Sequence, residues 1–254
     1  PYQLVASLLF YNKDIFDDAG VAHPTRDWTY EQLIDVSKKL SADTNSDGKT
    51  DQYGFFSNAS HTFLDSMIKA YGGKVLSSDY KTCHIDEPIA IEVMQKLVDM
   101  IQKDKSAPVA ASYDALLASG GEMFRSGKIG MTIDGSYMID SFKEVSFNWD
   151  ATMVPKGPVK RSIYGGPDGI SIAKDTPHPD EAWKFVAFMT GANRPEETWI
   201  PGGVPITKSV AGSDAWYNMH KKWMDEPKDL LDTGQYLEGA DFCTKWLEWP
   251  INTM

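Results

Sequence analysis

The chain has 254 residues, with 25 Lys and Arg against 36 Asp and Glu, giving a net charge of −11. That balance repels phosphodiesters and anionic lipid, and no basic run interrupts it, which argues against a nucleic-acid binder. A hydrophobic fraction of 42% beside 24% charged residues is that of a globular protein with a sizeable core, so extended disorder is excluded. No apolar run approaches the length of a membrane-spanning helix, and no basic start leads into an apolar stretch as in a signal peptide. The chain opens on Pro1 instead of Met and stops at Met254 without a cap, so it reads as a piece of something longer. Cys83 and Cys243 share no CxxC spacing and lack the His neighbours of a zinc site, so they read as structural thiols, with a disulfide as the alternative.

In chain order, LVASLLFYN is an apolar run of strand length, followed by a short helix in NKDIFDDAGV with Gly20 where a C-terminal cap belongs. Thr29 precedes a helix with Gln32 three residues on and Leu33, Val36 and Leu40 on one face, ending near Ala42. After a polar loop, YGFFS predicts a strand and FLDSMIKAYGG a helix with Phe63, Met67 and Tyr71 on one side. Pro88 opens a long helix whose Ile89, Val93, Leu97 and Ile101 predict the buried stripe. In EMFRSGKIGMTIDGSYMI, Gly127 separates a helix end from a strand in which Ile129, Met131 and Ile133 alternate, and a second helix begins after it. From Phe147 to Ile172, Pro and Gly break short β pieces in the manner of a rim loop. HPDEAWKFVAFMTG, with Ala182, Phe185, Val186 and Met189 at helical spacing, is the plainest helix of the chain. Strands alternating with helices give an α/β protein of two unequal lobes.

The sharpest local pattern is DTNSDGKTD, with Asp43, Asn45 and Asp47 at alternate positions and Gly48 next, as in a calcium loop of the EF-hand kind. Asp43, Asn45 and Asp47 would give side-chain oxygens, Lys49 its carbonyl, and Asp51 a direct or water-bridged ligand to a structural Ca2+. Position twelve, however, is Gly54 where the EF-hand has a bidentate Glu, and the bland reading is a polar turn.

Ser60, His61 and Asp65 lie too close in sequence, without a nucleophile elbow, to read as a hydrolase triad. Asn58-Ala59-Ser60 matches a glycosylation sequon, a pattern frequent by chance. Asp134 and Asp168 each sit in a Gly-containing turn, but two acids at glycosidase separation do not follow from sequence, and no phosphate loop occurs. What stands out is a set of aromatics beside glycine or near the end of the chain: Tyr137 after DGS, Tyr164 before GGPDG, Trp199 before IPGG, then Trp246 and Trp249. Flat rings beside carboxylates and open backbone suit sugars; core packing is the alternative for each.

Taken together, LLFYNKDIFDDAGV, PTRDWTYEQL, DGKTDQYGF, GKIGMTIDGSYMI, YGGPDGISIAKD, HPDEAWKFVAFMTG and GGVPITKSV run in the order seen in the extracellular solute-binding proteins of bacterial carbohydrate ABC importers, the family that includes maltose-binding protein. The chain resembles that family over nearly all its length, but lacks the amino-terminal lobe with which members begin. The resemblance implies a type II periplasmic-binding-protein fold, mainly the carboxy-terminal lobe with part of the amino-terminal one. Residues 1–6 would form a crossover strand, 7–168 the carboxy-terminal lobe, 169–211 a returning part of the amino-terminal lobe, and 212–254 the truncated remainder. By the same resemblance Ser60, His61 and Thr62 fall where members contact sugar, and Tyr137 takes the place of a stacking Trp. Gly165, Gly166, Asp168 and Gly169 match the cleft and hinge segment, and Trp246, with Trp249 as rival, stands near a second stacking position.

The implied function is capture of a sugar or oligosaccharide between two lobes and its delivery to ABC permease subunits, without catalysis, at the extracellular face of the membrane or in the periplasm. Any membrane attachment would come through a lipid anchor outside this sequence. The alternatives are a binder of a phosphorylated polyol such as a glycerol phosphate, for which Lys160 and Arg161 are the cations near the Gly-rich turn, and a glycoside-processing enzyme.

Overall fold

The computed structural model describes residues 3–57, 61–109, 120–190 and 204–205. Two compact units divide the chain: a first of Pro1–Ala6, Gly135–Asp140 and Gly165–Met254, and a second of Ser7–Asp134 and Ser141–Tyr164.

The opening apolar run is strand β1, Gln3–Asn12, as its composition predicts. In the second unit, Leu8 to Asn12 pair antiparallel with Met153 to Trp149 of β4, Trp149–Met153. Strands β2, Tyr53–Phe56, and β3, Ile129–Gly135, pair in parallel, and the order is β2-β3-β1-β4. The predicted alternation in β3 gives way to burial of Ile129 through Ile133 without a break. A parallel, interior strand is covered on both faces, so it has no solvent side to alternate with.

Helix α1, Lys13–Asp18, starts where the Asn12 side chain accepts from the Ile15 amide at 3.2 Å. It stops where Gly20, at φ 64°, lets its own N–H reach the Asp17 carbonyl and that of Val21 the Phe16 carbonyl. Those two bonds are the Schellman closure that a glycine at this position permits. Helix α2, Tyr30–Leu40, begins with a reciprocal capping box between Thr29 and Gln32. It ends two residues before Ala42, because the Ala42 amide and carbonyl are engaged with Gln52 and Asp51 in a bridge that starts the next connection.

Helix α3, His61–Ala70, buries Phe63 and Met67, and Tyr71 just beyond it is buried too. Helix α4, Pro88–Gln102, buries Ala90, Val93 and Met100, leaving Ile89 37% exposed. The strict four-residue stripe at 89, 93, 97 and 101 is therefore rotated. A step of four overshoots the 3.6-residue turn by about 40°, so a buried line needs threes among its fours. Next come α5, Gly120–Arg125, and the short α6, Met138–Ser141, running into a 3-10 turn at Phe142–Glu144. Last is α7, Pro179–Thr190, which buries none of its residues; Trp183 and Phe185 stay 63% and 58% exposed. Its apolar positions thus form a helix as predicted, without covering any core among the described residues. No helix among those residues is long and apolar enough to cross a membrane.

The second unit's core is aromatic. Phe142 stands edge-on to Phe10 at 5.0 Å and lies 4.9 Å from Phe124, while the Trp149 indole N–H donates to the Phe142 carbonyl at 2.8 Å. Fully buried side chains of this size each contribute about 1.5–3 kcal/mol by removal from water. Helix α2 rests on the sheet through glycine: a Cβ at Gly54 would fall on the Ser37 carbonyl, and one at Gly130 would stand 2.8 Å from Leu40 Cδ1. Gly54→Ala is therefore expected to cost at least about 1–3 kcal/mol through overpacking. Thr29→Ala, which loses a cap, should cost about 1 kcal/mol. Denaturant melts checking both should rank Gly54→Ala as the more severe.

On the outer side of α2, the Tyr71 hydroxyl donates to Glu31 Oε1 at 2.7 Å, with Lys96 over the Tyr71 ring. Burial pushes the Glu31 carboxyl up, but the bonds from Tyr71 and the backbone, the Lys96 charge and the bond with Thr29 outweigh it and hold the group low. A lowered carboxyl stabilises the fold above its unfolded value, about 4.3 for Glu, and that contribution fades as pH falls through the folded value. Tyr71→Phe should flatten this part of the acid limb below about pH 4.3. Urea midpoints measured against pH for both proteins check it, and parallel curves would contradict the pairing.

Candidate functional site

The residues singled out for ligand contact divide between the units. In the first, β1 is paired antiparallel with β5, Gly165–Asp168, setting Gly165 opposite Ala6, Gly166 opposite Val5 and Asp168 opposite Gln3. The two-residue strand β6, Val204–Pro205, also pairs with β1. Ala6 carries a second attachment: its carbonyl accepts the Ser136 amide at 2.8 Å, and its amide meets the buried Ser136 hydroxyl at 3.5 Å. One residue thus anchors both the turn that presents Tyr137 and the strand that carries Gly165 and Gly166.

The glycine pair splits its labour. A Cβ at Gly165 would stand 2.6 Å from the Val5 carbonyl, so its lack of a side chain serves strand pairing. A Cβ at Gly166 would meet nothing within 4 Å, and the same holds at Gly169, so the space on the side-chain side of the backbone is open there. The Tyr137 ring folds over Gly135, its Cζ 3.0 Å from where a Cβ would be, and remains 45% exposed. Asp168 is half-buried. An exposed ring, open space over a glycine and a carboxylate in one unit are what a polyhydroxylated ligand uses: a flat face for C–H groups, room for close approach and a polar partner for hydroxyls.

His61 and Thr62 open α3 in the second unit. Ser60 and the sequon it closes, Trp199, Trp246, Trp249 and Cys243 lie outside the described residues. Asp65, the acid of the dismissed triad, is paired with Lys69 at 2.8 Å, and Cys83 is a free, exposed thiol. Ser136 and Ala6 are the positions that sequence reading passed over; the Ser between Gly135 and Tyr137 was the available signal, but its partner lies 130 residues away.

The 43–51 loop is in the second unit. Both Asp43 oxygens accept backbone N–H groups, from Asp47 at 3.2 Å and Gly48 at 2.7 Å; Asn45 Oδ1 also takes the Asp47 N–H at 2.9 Å. Asp47 accepts from the Lys49 amide, and Asp51 from the amide and hydroxyl of Thr44, bonds that hold the Asp51 carboxyl below its usual range. Among the described residues no three acidic, His or Cys side chains are grouped to hold a metal. The donor set is shorter than an EF-hand's for a steric reason: position twelve is Gly54, where α2 lies directly on the strand and leaves no room for a side chain.

With this geometry in view, residues 1–193 match the family model described as bacterial extracellular solute-binding protein. The structure aligns with an ABC substrate-binding protein from Listeria monocytogenes in complex with cycloalternan at TM-score 0.74 and 23% identity, over 92% of this chain and 58% of that one. The fold is therefore that of type II periplasmic binding proteins. The chain belongs to the bacterial extracellular solute-binding protein family. A binding protein of Brucella abortus is 26% identical over 86% of this chain and 53% of its own length. The maltotriose-binding protein of Pyrococcus abyssi is 24% identical over 75% of this chain and 39% of its own. The chain thus spans roughly half the length of the relatives it matches.

The split of the glycine pair is testable. Gly165→Ala is expected to lower stability by about 1–3 kcal/mol, as overpacking does. Gly166→Ala, with open space around it, should melt within about 0.5 kcal/mol of the parent. Chemical denaturation of the two variants decides it, and equal losses would contradict the assignment.

Proposed function

We propose that the protein is the carbohydrate-binding component of an ABC importer, which captures a sugar or oligosaccharide and hands it to membrane permease subunits. The observation that carries the reading is the exposed Tyr137 ring and the open space over Gly166, held on elements that share Ala6 as anchor. Tyr137 supplies a stacking face, while Gly166 and Asp168 supply backbone and carboxylate partners for hydroxyls; Ser60, His61, Thr62 and Trp246 complete the proposed contact set. The lobe bounds are proposed on the resemblance alone and do not follow the two compact units: residues 1–6 as the crossover strand, 7–168 and 212–254 as the carboxy-terminal lobe, and 169–211 as the returning amino-terminal portion. Membership of a solute-binding family, with relatives named for or bound to oligosaccharides, supports the choice of ligand. The family's description as extracellular supports a working place outside the cytoplasmic membrane or in the periplasm. No residue is asked to react: binding selects a closed arrangement, and that arrangement is what the permease recognises.

Calorimetric titration with maltose, maltotriose, galactooligosaccharides and glycerol 3-phosphate tests the reading, on this chain and on the longest product its gene encodes. Saturable binding of one oligosaccharide class is expected, without hydrolysis products, and with affinity at least tenfold weaker in Tyr137→Ala. Binding of glycerol 3-phosphate alone, in a manner that Tyr137→Ala weakens and Arg26→Gln does not, would replace the sugar reading with the polyol-phosphate one, and turnover of an oligosaccharide would make the protein an enzyme.

Calcium at the 43–51 loop is a separate proposal, supported by the gathering of Asp43 and Asn45 oxygens about the single Asp47 amide. Asp43, Asn45, Asp47, the Lys49 carbonyl and Asp51 would hold the ion, which would stabilise the folded state by linkage. A calcium-dependent melting rise that Asp43→Ala and Asp47→Ala abolish is the expected result. Equal melting in calcium and chelator would leave the loop a turn closed by its own side chains.

A further inference from the structure

We propose that Arg161, with Arg26 beside it, forms a binding site for a tetrahedral oxyanion, phosphate or sulfate, in the second unit. The inference is independent of the sugar reading and rests on how this corner is built. Lys156 and Arg161 face each other across an antiparallel bridge, and the segment from Thr25 to Tyr30 is laced to that bridge. Lys156 donates its amide to the Trp28 carbonyl at 2.8 Å and accepts the Tyr30 amide at 3.0 Å. A protein of net charge −11 thereby concentrates Arg26, Lys156, Lys160 and Arg161 on two adjoining stretches of backbone.

The carboxylate among them is already engaged: Asp27 Oδ1 lies 2.7 Å from Lys156 Nζ. Arg161 is half-buried, and its hydrogen bond goes from Nη2 to the Arg26 carbonyl, a neutral acceptor that brings the guanidinium no opposite charge. Among the described residues it forms no ion pair. A guanidinium carries five N–H donors in a rigid fork, so one bond to a carbonyl leaves most of the fork available, in the geometry that binds an oxyanion through two parallel bonds. Burial first, and then the charge of Arg26, hold Arg161 below the ordinary arginine range, while Asp27 and Tyr30 act the other way. An anion seated on the fork would relieve both the burial and the repulsion, since a partly desolvated charge gains most from a partner.

The test is thermal unfolding of the full chain in sodium phosphate or sodium sulfate against sodium chloride at constant ionic strength, with NMR of the arginine Nε–Hε groups as a second readout. A saturable melting rise in millimolar phosphate beyond that in chloride is expected, with shifts at Arg161 and Arg26. Arg161→Gln and Arg26→Gln should each weaken the apparent phosphate affinity at least tenfold, and Arg161→Lys, which keeps the charge and loses the fork, by several-fold. The Arg26 side chain is exposed, so Arg26→Gln tests the site even where Arg161→Gln disturbs folding. Co-sedimentation with phosphatidylglycerol against phosphatidylcholine vesicles separates the two sources of such a group. Capture that Arg161→Gln abolishes assigns the site to a lipid headgroup, and a phosphate shift without capture assigns it to a free oxyanion. No rise beyond chloride, or a rise undiminished in both arginine variants, which would mark an adventitious ion only, overturns the proposal.

Discussion

The structure depends on one strand being long enough to do two jobs. The ten residues of β1 divide between units: Gln3 to Ala6 pair with β5 and β6, and Leu8 to Asn12 pair with β4. Ser7, at the join, donates its amide to the Tyr164 carbonyl at 2.8 Å, so the ladder continues through it. Among the described residues, the segments that carry Tyr137 and Gly166 in the first unit are both referred to this strand, Tyr137 through Ser136 and Gly166 through its register with Val5. Leu8, Leu9 and Phe10, fully buried, tie the same strand into the second unit's core.

Glycine sets a second constraint, and it works by closeness of approach. Gly54 and Gly130 let α2 lie against the β2 and β3 strands, and Gly157 similarly faces the Ala70 backbone. The same packing explains why the calcium-like loop stops short of an EF-hand: the strand position that would carry its last ligand belongs to the helix contact. The Asp43 and Asn45 oxygens accept the turn's own amides, an arrangement Asp and Asn adopt readily. Gly166 is the contrasting case, a glycine whose open surroundings ask for nothing from packing.

What was legible in the sequence was local. Asn12 and Gly20 bracket α1, Thr29 and Gln32 box the start of α2, and Gly127 at φ 73° turns the chain into β3, each through chemistry confined to a few residues. What was not legible was set at long range. The rotation of the α4 stripe, the end of α2 at Leu40 and the uninterrupted burial of β3 follow from neighbours distant in sequence. For the site, the aromatic and the glycines could be picked out by type. That Gly165 serves pairing while Gly166 is open depends on Val5, and the Ala6 to Ser136 bridge spans 130 residues. Motif order carried the family, because it sums many weak local signals that no single one supplies.

The central claim is that β1, anchored at Ala6, holds together the described candidate contacts of the first unit. Native-state hydrogen exchange measured residue by residue tests it most directly, because exchange ranks segments by the free energy needed to open them. The amides of Ser7 and Ser136 should exchange with the slowest class, together with those of Leu8 to Phe10 in the core. Rapid exchange at Ser7 and Ser136, at rates shared with exposed loops while Leu8 to Phe10 stay protected, would show that the strand's two halves are not one element and would contradict the account.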